Sequence, residues 1–244
     1  TDLQIENDIS FDKGPAEVEV IIERSAFDNA NPRIATVEGK RGIYFSNKLH
    51  NALLRYVTDN GNDTSKVNII LEDRYGISIN INNYFELTGE QASRFQDFKS
   101  EELISIINMF EEMPSGYHKI DGLNYLVRRV DGADNPFYPE APAIAWDNSG
   151  YIEFMEKAFT TLSIDYLHRL IIHEKSHFMW AEIFDDQLKN DWIELGGWYE
   201  CTENESGWCT TKDTEFVSAY AHLKNPNEDM AESLSFFVVN PDAL

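Results

Sequence analysis

The sequence is short of cations. Twenty Lys and Arg stand against forty-three Asp and Glu in 244 residues, a formal charge of −23. A chain so acidic cannot readily assemble the basic face that phosphate contacts require, so a nucleic-acid partner is not expected. Adhesion to an anionic membrane surface is disfavoured for the same reason. No run approaches the roughly 18 apolar residues of a membrane-spanning helix, and dense stretches such as Leu170, Ile171 and Ile172 are brief. The chain opens on Thr1-Asp2-Leu3-Gln4, without Met and without a basic-then-apolar leader, which reads as a processed form or an excised domain. Only two cysteines occur. Without a CxxC spacing or a second pair, Cys201 and Cys209 do not form a structural zinc site. They bracket a polar loop that could close as a small disulfide, which would suit an exported protein.

What is present is enough apolar material for one sizeable core, with 42% hydrophobic and 13% aromatic residues. Val18, Val20, Ile21 and Ile22, and again Val67, Ile69, Ile70 and Leu71, read as β-branched strands, with Leu49, Leu53, Leu54 and Val57 at helical spacing between them. Residues 1–95 therefore read as an N-terminal α/β region. From about residue 96 the order is clearer. Ser100 reads as the cap of a helix with Leu103, Ile106, Ile107 and Phe110 as its apolar stripe, ended by Pro114 and Gly116. Strands are expected at 123–130, 143–146 and 151–155. Ser163 opens a long helix to about Phe184, and a polar, Trp-rich connection leads to a last helix marked by Asn225, Pro226, Glu228 and Asp229. The fold class is α+β, in two regions, 1–95 and 96–244.

One pentapeptide carries chemistry. His173-Glu174-Lys175-Ser176-His177 lies inside the long helix. Four residues turn through about 400°, so both imidazoles share one face, one turn apart, and both can reach a single zinc ion at about 2 Å. Glu174 flanks that ion without ligating it, placed to take a proton from water and hand it to a leaving amine. Trp180 and Ile183 stand where a metzincin would carry Gly and His, which excludes that subclass. A third ligand is left to a downstream carboxylate, and Glu228 and Glu232, one turn apart, are the candidates. One would ligate and the other would fix the tautomer of a ligating His.

Together these residues resemble the gluzincin branch of zinc metallopeptidases, most nearly the catalytic domain shared by anthrax lethal factor and the Pro-Pro endopeptidases. The resemblance covers roughly residues 100–240; nothing comparable covers 1–95. It implies a zincin-like domain, with an active-site helix and a small twisted sheet, and one Zn2+ per chain held by His173, His177 and Glu228. It further implies Glu174 as general base, Glu232 behind the ligands, and a tyrosine on the preceding loop that stabilises the oxyanion. Tyr220 is the matching residue. It stands eight positions before Glu228 instead of the usual seven, which leaves His222 open as a competitor. Residues 151–155 would be the edge strand that pairs with an extended peptide. Lys175 departs from the pattern, where an uncharged residue is usual, and is expected to reach solvent or pair with an acid.

The function so implied is a secreted metalloendopeptidase, monomeric, acting on protein or peptide. A zinc-containing binding or toxin-type domain without proteolysis, and a zinc hydrolase of a non-peptide amide, share its metal residues. The segments around Asp59 and Asp63 and around Asp131 and Asn135 resemble calcium loops, but neither has the closing Glu of an EF-hand, and turns account for both.

Overall fold

A computed structural model describes residues 33–37, 40–44, 48–61, 63–160 and 163–240. The strand expected at residues 18–22 lies outside them. Arg33–Val37 (β1) and Lys40–Tyr44 (β2) pair as an antiparallel hairpin. Helix α1, Lys48–Asp59, follows the expected spacing, burying Leu49, Leu53 and Val57 and leaving Leu54 exposed.

The strand expected from Val67 to Leu71 is instead helical. Ser65–Ile70 (α2) runs directly into a wide π-helical turn, Leu71–Tyr75. Val67, Ile70 and Leu71 are buried while Ile69 is half exposed. That is helical spacing on one face, and it outweighs the β-branched composition of the run. After a short helix α3, Tyr84–Thr88, comes strand β3, Phe95–Gln96. Helix α4, Ser100–Glu111, begins one residue earlier than expected. Lys99 is its cap, and the Glu102 carboxylate accepts from the Lys99 N–H.

Tyr125–Arg129 (β4), Ala143–Trp146 (β5) and Tyr151–Phe154 (β6) complete a four-stranded sheet in the order β3-β4-β6-β5. Strand β6 pairs parallel with β4 on one side and antiparallel with β5 on the other. All four of its residues are buried. Tyr151–Phe154 is therefore an interior strand, not the edge expected of it, and the edges belong to β3 and, beside α6, to β5. The one charged residue of β6 is buried with partners: Glu153 receives hydrogen bonds from Arg129, Asn135 and Trp146. Gly150, at φ 78°, closes the β5–β6 turn where a Cβ would meet the Asn124 side chain at 2.9 Å.

A short helix α5, Glu156–Thr160, precedes the long helix α6, Ile164–Glu182, which starts after Ser163 as expected. The Trp-rich connection contains structure that its polarity concealed: helix α7, Asp186–Leu195, and the hairpin of Trp198–Glu200 (β7) with Trp208–Thr210 (β8). A Cys201–Cys209 disulfide closes the hairpin. Helix α8, Ala219–Leu223, and helix α9, Pro226–Val239, end the described chain.

Ile152 and Phe154 of the sheet, Leu103, Ile107 and Phe110 of α4, Ile171, Ile172 and Phe178 of α6, and Val238 of α9 join one buried cluster, which also takes in Leu53, Val67, Leu71 and Tyr75. Each such side chain contributes about 1.5–3 kcal/mol by leaving water. The cluster pins α6 against the sheet beside β5. Among the described residues no helix is long and apolar enough to cross a membrane.

Candidate metal centre

Helix α6 presents His173 and His177 from successive turns, with ring centres 4.9 Å apart and Nε2 atoms 3.2 Å apart. Helix α9 supplies the third group. Its first turn is fixed by the Asn225 side chain, which accepts from the N–H groups of Asn227 and Glu228 at 3.0 Å, and by Pro226 at the first helical position. Glu228 Oε2 then lies 3.1 Å from His173 Nε2 and 3.6 Å from His177 Nε2. Donors held about 2.0–2.2 Å from a tetrahedral ion stand about 3.3–3.6 Å from one another. The three separations lie within about 0.2 Å of that spacing, so the group fits a single cation of zinc's size.

The outer ring nitrogens say the same. His173 Nδ1 faces only Glu232 Oε1, at 3.0 Å, and Ser218 Oγ donates to the other Glu232 oxygen at 2.7 Å. His177 Nδ1 faces Asn227 Oδ1 at 3.1 Å. In the tautomers that place each Nδ1 proton toward these outer oxygens, both Nε2 lone pairs face a carboxylate oxygen. Three acceptors this close repel one another unless a cation or a proton lies between them. Burial opposes a charge on His173, but the Glu228 and Glu232 carboxylates prevail and hold its pKa up at about 10, while the Glu228 and Glu232 carboxyls are themselves held below the usual carboxylate range. A site with this appetite for positive charge can hold a divalent metal.

No family model, curated protein or solved structure matches this chain. The chemistry of the site therefore rests on its own geometry.

Glu174 and the outer edge of β5 line the same cavity of about 390 Å³ as the metal group. Burial raises the Glu174 carboxyl above its ordinary range, against the pull of His173 and His177, which suits a group that must accept a proton and give it back. Tyr220 enters this cavity, its ring 6.0 Å from that of His173 and its phenol close enough to the Glu228 carboxylate to feel its charge. Burial, with Glu228 and Glu174 nearby, raises its pKa, so the phenol keeps its proton. His222 is stacked on Phe216 at 5.0 Å and does not line the cavity. Of the two competing residues, the structure brings Tyr220 to the site.

Lys175 neither reaches solvent nor pairs directly with an acid. It is fully buried, donates to the His118 carbonyl at 3.0 Å and lies 4.0 Å from the centre of the Phe110 ring. Burial lowers its pKa to about 7. Asn227 and Ser218 escaped the sequence reading. Neither carries a motif, because each acts through a partner 50 or 14 positions away. The calcium-like segments serve turns and ion pairs: Asp63 accepts from Ser65 and Tyr56, Asp131 pairs with Arg128, and Asn135 accepts from the N–H of Phe137. Trp198, buried, donates to Asp229 and so anchors α9.

Proposed function

We propose that the chain is a zinc-dependent metalloendopeptidase of gluzincin type with a zincin-like catalytic domain. The convergence of His173 Nε2, His177 Nε2 and Glu228 Oε2 within 3.1–3.6 Å of one another, beside a buried glutamate, carries this reading. A zinc ion held there supplies Lewis acidity, acidifying a water and polarising a carbonyl oxygen. Glu174 takes the proton and later delivers it to the leaving amine. Tyr220 donates its O–H to the carbonyl oxygen as negative charge develops. The free edge of β5 offers unpaired N–H and C=O groups to an extended peptide, which adds as a fifth strand above Glu174. The Cys201–Cys209 bridge supports a working place outside the reducing cytosol.

The test joins elemental analysis to an unbiased peptide library, with and without chelator. One zinc per chain and chelator-sensitive cleavage are expected. Glu174→Gln should keep the metal and lose hydrolysis by about 10²–10⁴-fold. Parental cleavage by that variant would remove Glu174 from its role, and a metal-loaded chain that cuts nothing would refute the peptidase.

A further inference from the structure

On the Ala143 side of the metal centre lies a second cavity, of about 550 Å³, whose wall carries Arg169 and Lys224 beside His173 and Glu174. Arg169 is unusual in this acidic chain. Arg55, Arg74, Arg94, Arg128 and Arg129 each lie within 4.0 Å of a carboxylate. Among the described side chains Arg169 is the one arginine with no carboxylate within 4.0 Å, although its charge acts on Glu232 and helps hold that carboxyl down. Its position is nevertheless fixed. The guanidinium carbon stands 4.2 Å from the centre of the Phe236 ring and 5.2 Å from that of Tyr166. Aromatic contacts of this kind cover the faces of the guanidinium and leave its in-plane N–H donors free. Lys224, at the rim, is held only over the Tyr220 ring, at 5.3 Å. The Glu232 carboxylate on the same wall already has its oxygens engaged by His173 and Ser218.

A guanidinium held against two rings on a cavity wall, with no carboxylate within 4.0 Å, suits a planar anion. Strand β5 runs from Ala143 to Trp146. A peptide paired antiparallel to it carries its C-terminal side toward Ala143 and into this cavity. We propose that Arg169, with Lys224 at the rim, receives a carboxylate that the substrate carries on the C-terminal side of the scissile bond. The inference rests on the peptidase reading for its substrate, and the anion itself is either an acidic side chain or the free C-terminus.

The zinc-loaded full chain is given random octapeptides in two forms, free acid and C-terminal amide, and the products are sequenced by mass spectrometry. An excess of Asp and Glu over Asn and Gln at one position after the cut identifies a side chain as the anion. Cutting at a fixed distance from the end, in the free-acid pool alone, identifies the C-terminus. Arg169→Gln should reduce whichever preference is found by about tenfold. Arg169→Glu should turn it toward Lys and Arg, and the exposed Lys224→Gln should reduce it by less. Cleavage indifferent to acidic groups, or a preference that both Arg169 variants retain, overturns the proposal and leaves the peptidase standing. If nothing is cut, the peptidase reading fails and calorimetry with N-acetylalanyl-glutamate decides the anion site. Binding that Arg169→Glu abolishes upholds it, and equal binding by both proteins overturns it.

Discussion

Asn227 Oδ1 lies 3.1 Å from His177 Nδ1, linking the first turn of α9 to the metal-facing turn of α6. The contact directs the His177 Nε2 lone pair at the metal position. Asn227→Ala is expected to weaken zinc affinity by about 10–100-fold with the fold intact, measured by competition with a chromophoric chelator. Unchanged affinity would show that packing alone orients the ring.

Glu228 and Glu232 sit one turn apart and both touch His173, but on opposite nitrogens. Glu228→Ala removes a ligand and should lower zinc affinity more than Glu232→Ala, which removes a support. The reverse order in the same competition assay would exchange their roles.

Tyr220→Phe deletes the O–H that helix α8 brings into the cavity. With metal content kept, kcat should fall by about 10²-fold and KM should change little. His222→Ala, in a residue packed on Phe216, should change kcat by less than tenfold. A larger fall for His222→Ala than for Tyr220→Phe would reverse the assignment.

Burial lowers the pKa of His50 to about 4, and burial together with the nearby His50 lowers that of His168 to about 3. Both values lie below the unfolded value of about 6.5. Between those limits the unfolded chain binds protons that the folded chain refuses, so stability rises with pH and falls as pH drops below about 6.5. Each ring contributes a slope of about 1.4 kcal/mol per pH unit. Urea midpoints from pH 7 to 5 should fall, and His168→Leu should flatten that fall. An equally steep decline in the variant would assign the acid sensitivity to other groups.

Lys175 keeps an amine among the rings of Tyr75 and Phe110 with one carbonyl as partner. The acid nearby, Glu111, has Arg74 and Tyr75 as its own donors. Lys175→Met should therefore stay within about 1 kcal/mol of the parent or be more stable. A loss above about 3 kcal/mol on urea titration would show that the buried amine is structurally required.

The metal group was legible because its signals are local in the chain. His173 and His177 follow from helical spacing, and Asn225 with Pro226 announces the helix that carries Glu228. Strand β5 was legible between its prolines and the turn at Gly150. What the sequence concealed depends on distant partners. The edge position expected of Tyr151–Phe154 came with the family resemblance, and nothing local to the strand announces that β4 and β5 flank it or that Arg129 neutralises Glu153. Val67, Ile70 and Leu71 were read for their β-branching when their spacing was the stronger guide. The charge of Lys175 points to solvent or an acid partner, and only the packed rings around it show how the methylene stem and amine are accommodated.

Ser218 performs two tasks with one oxygen. It accepts from the Ala221 N–H to start the turn that carries Tyr220, and it donates to Glu232, which steadies His173. The short helix that bears the phenol and the helix that carries the candidate ligand Glu228 are thus hinged on a shared hydroxyl, and neither can loosen without slackening the other.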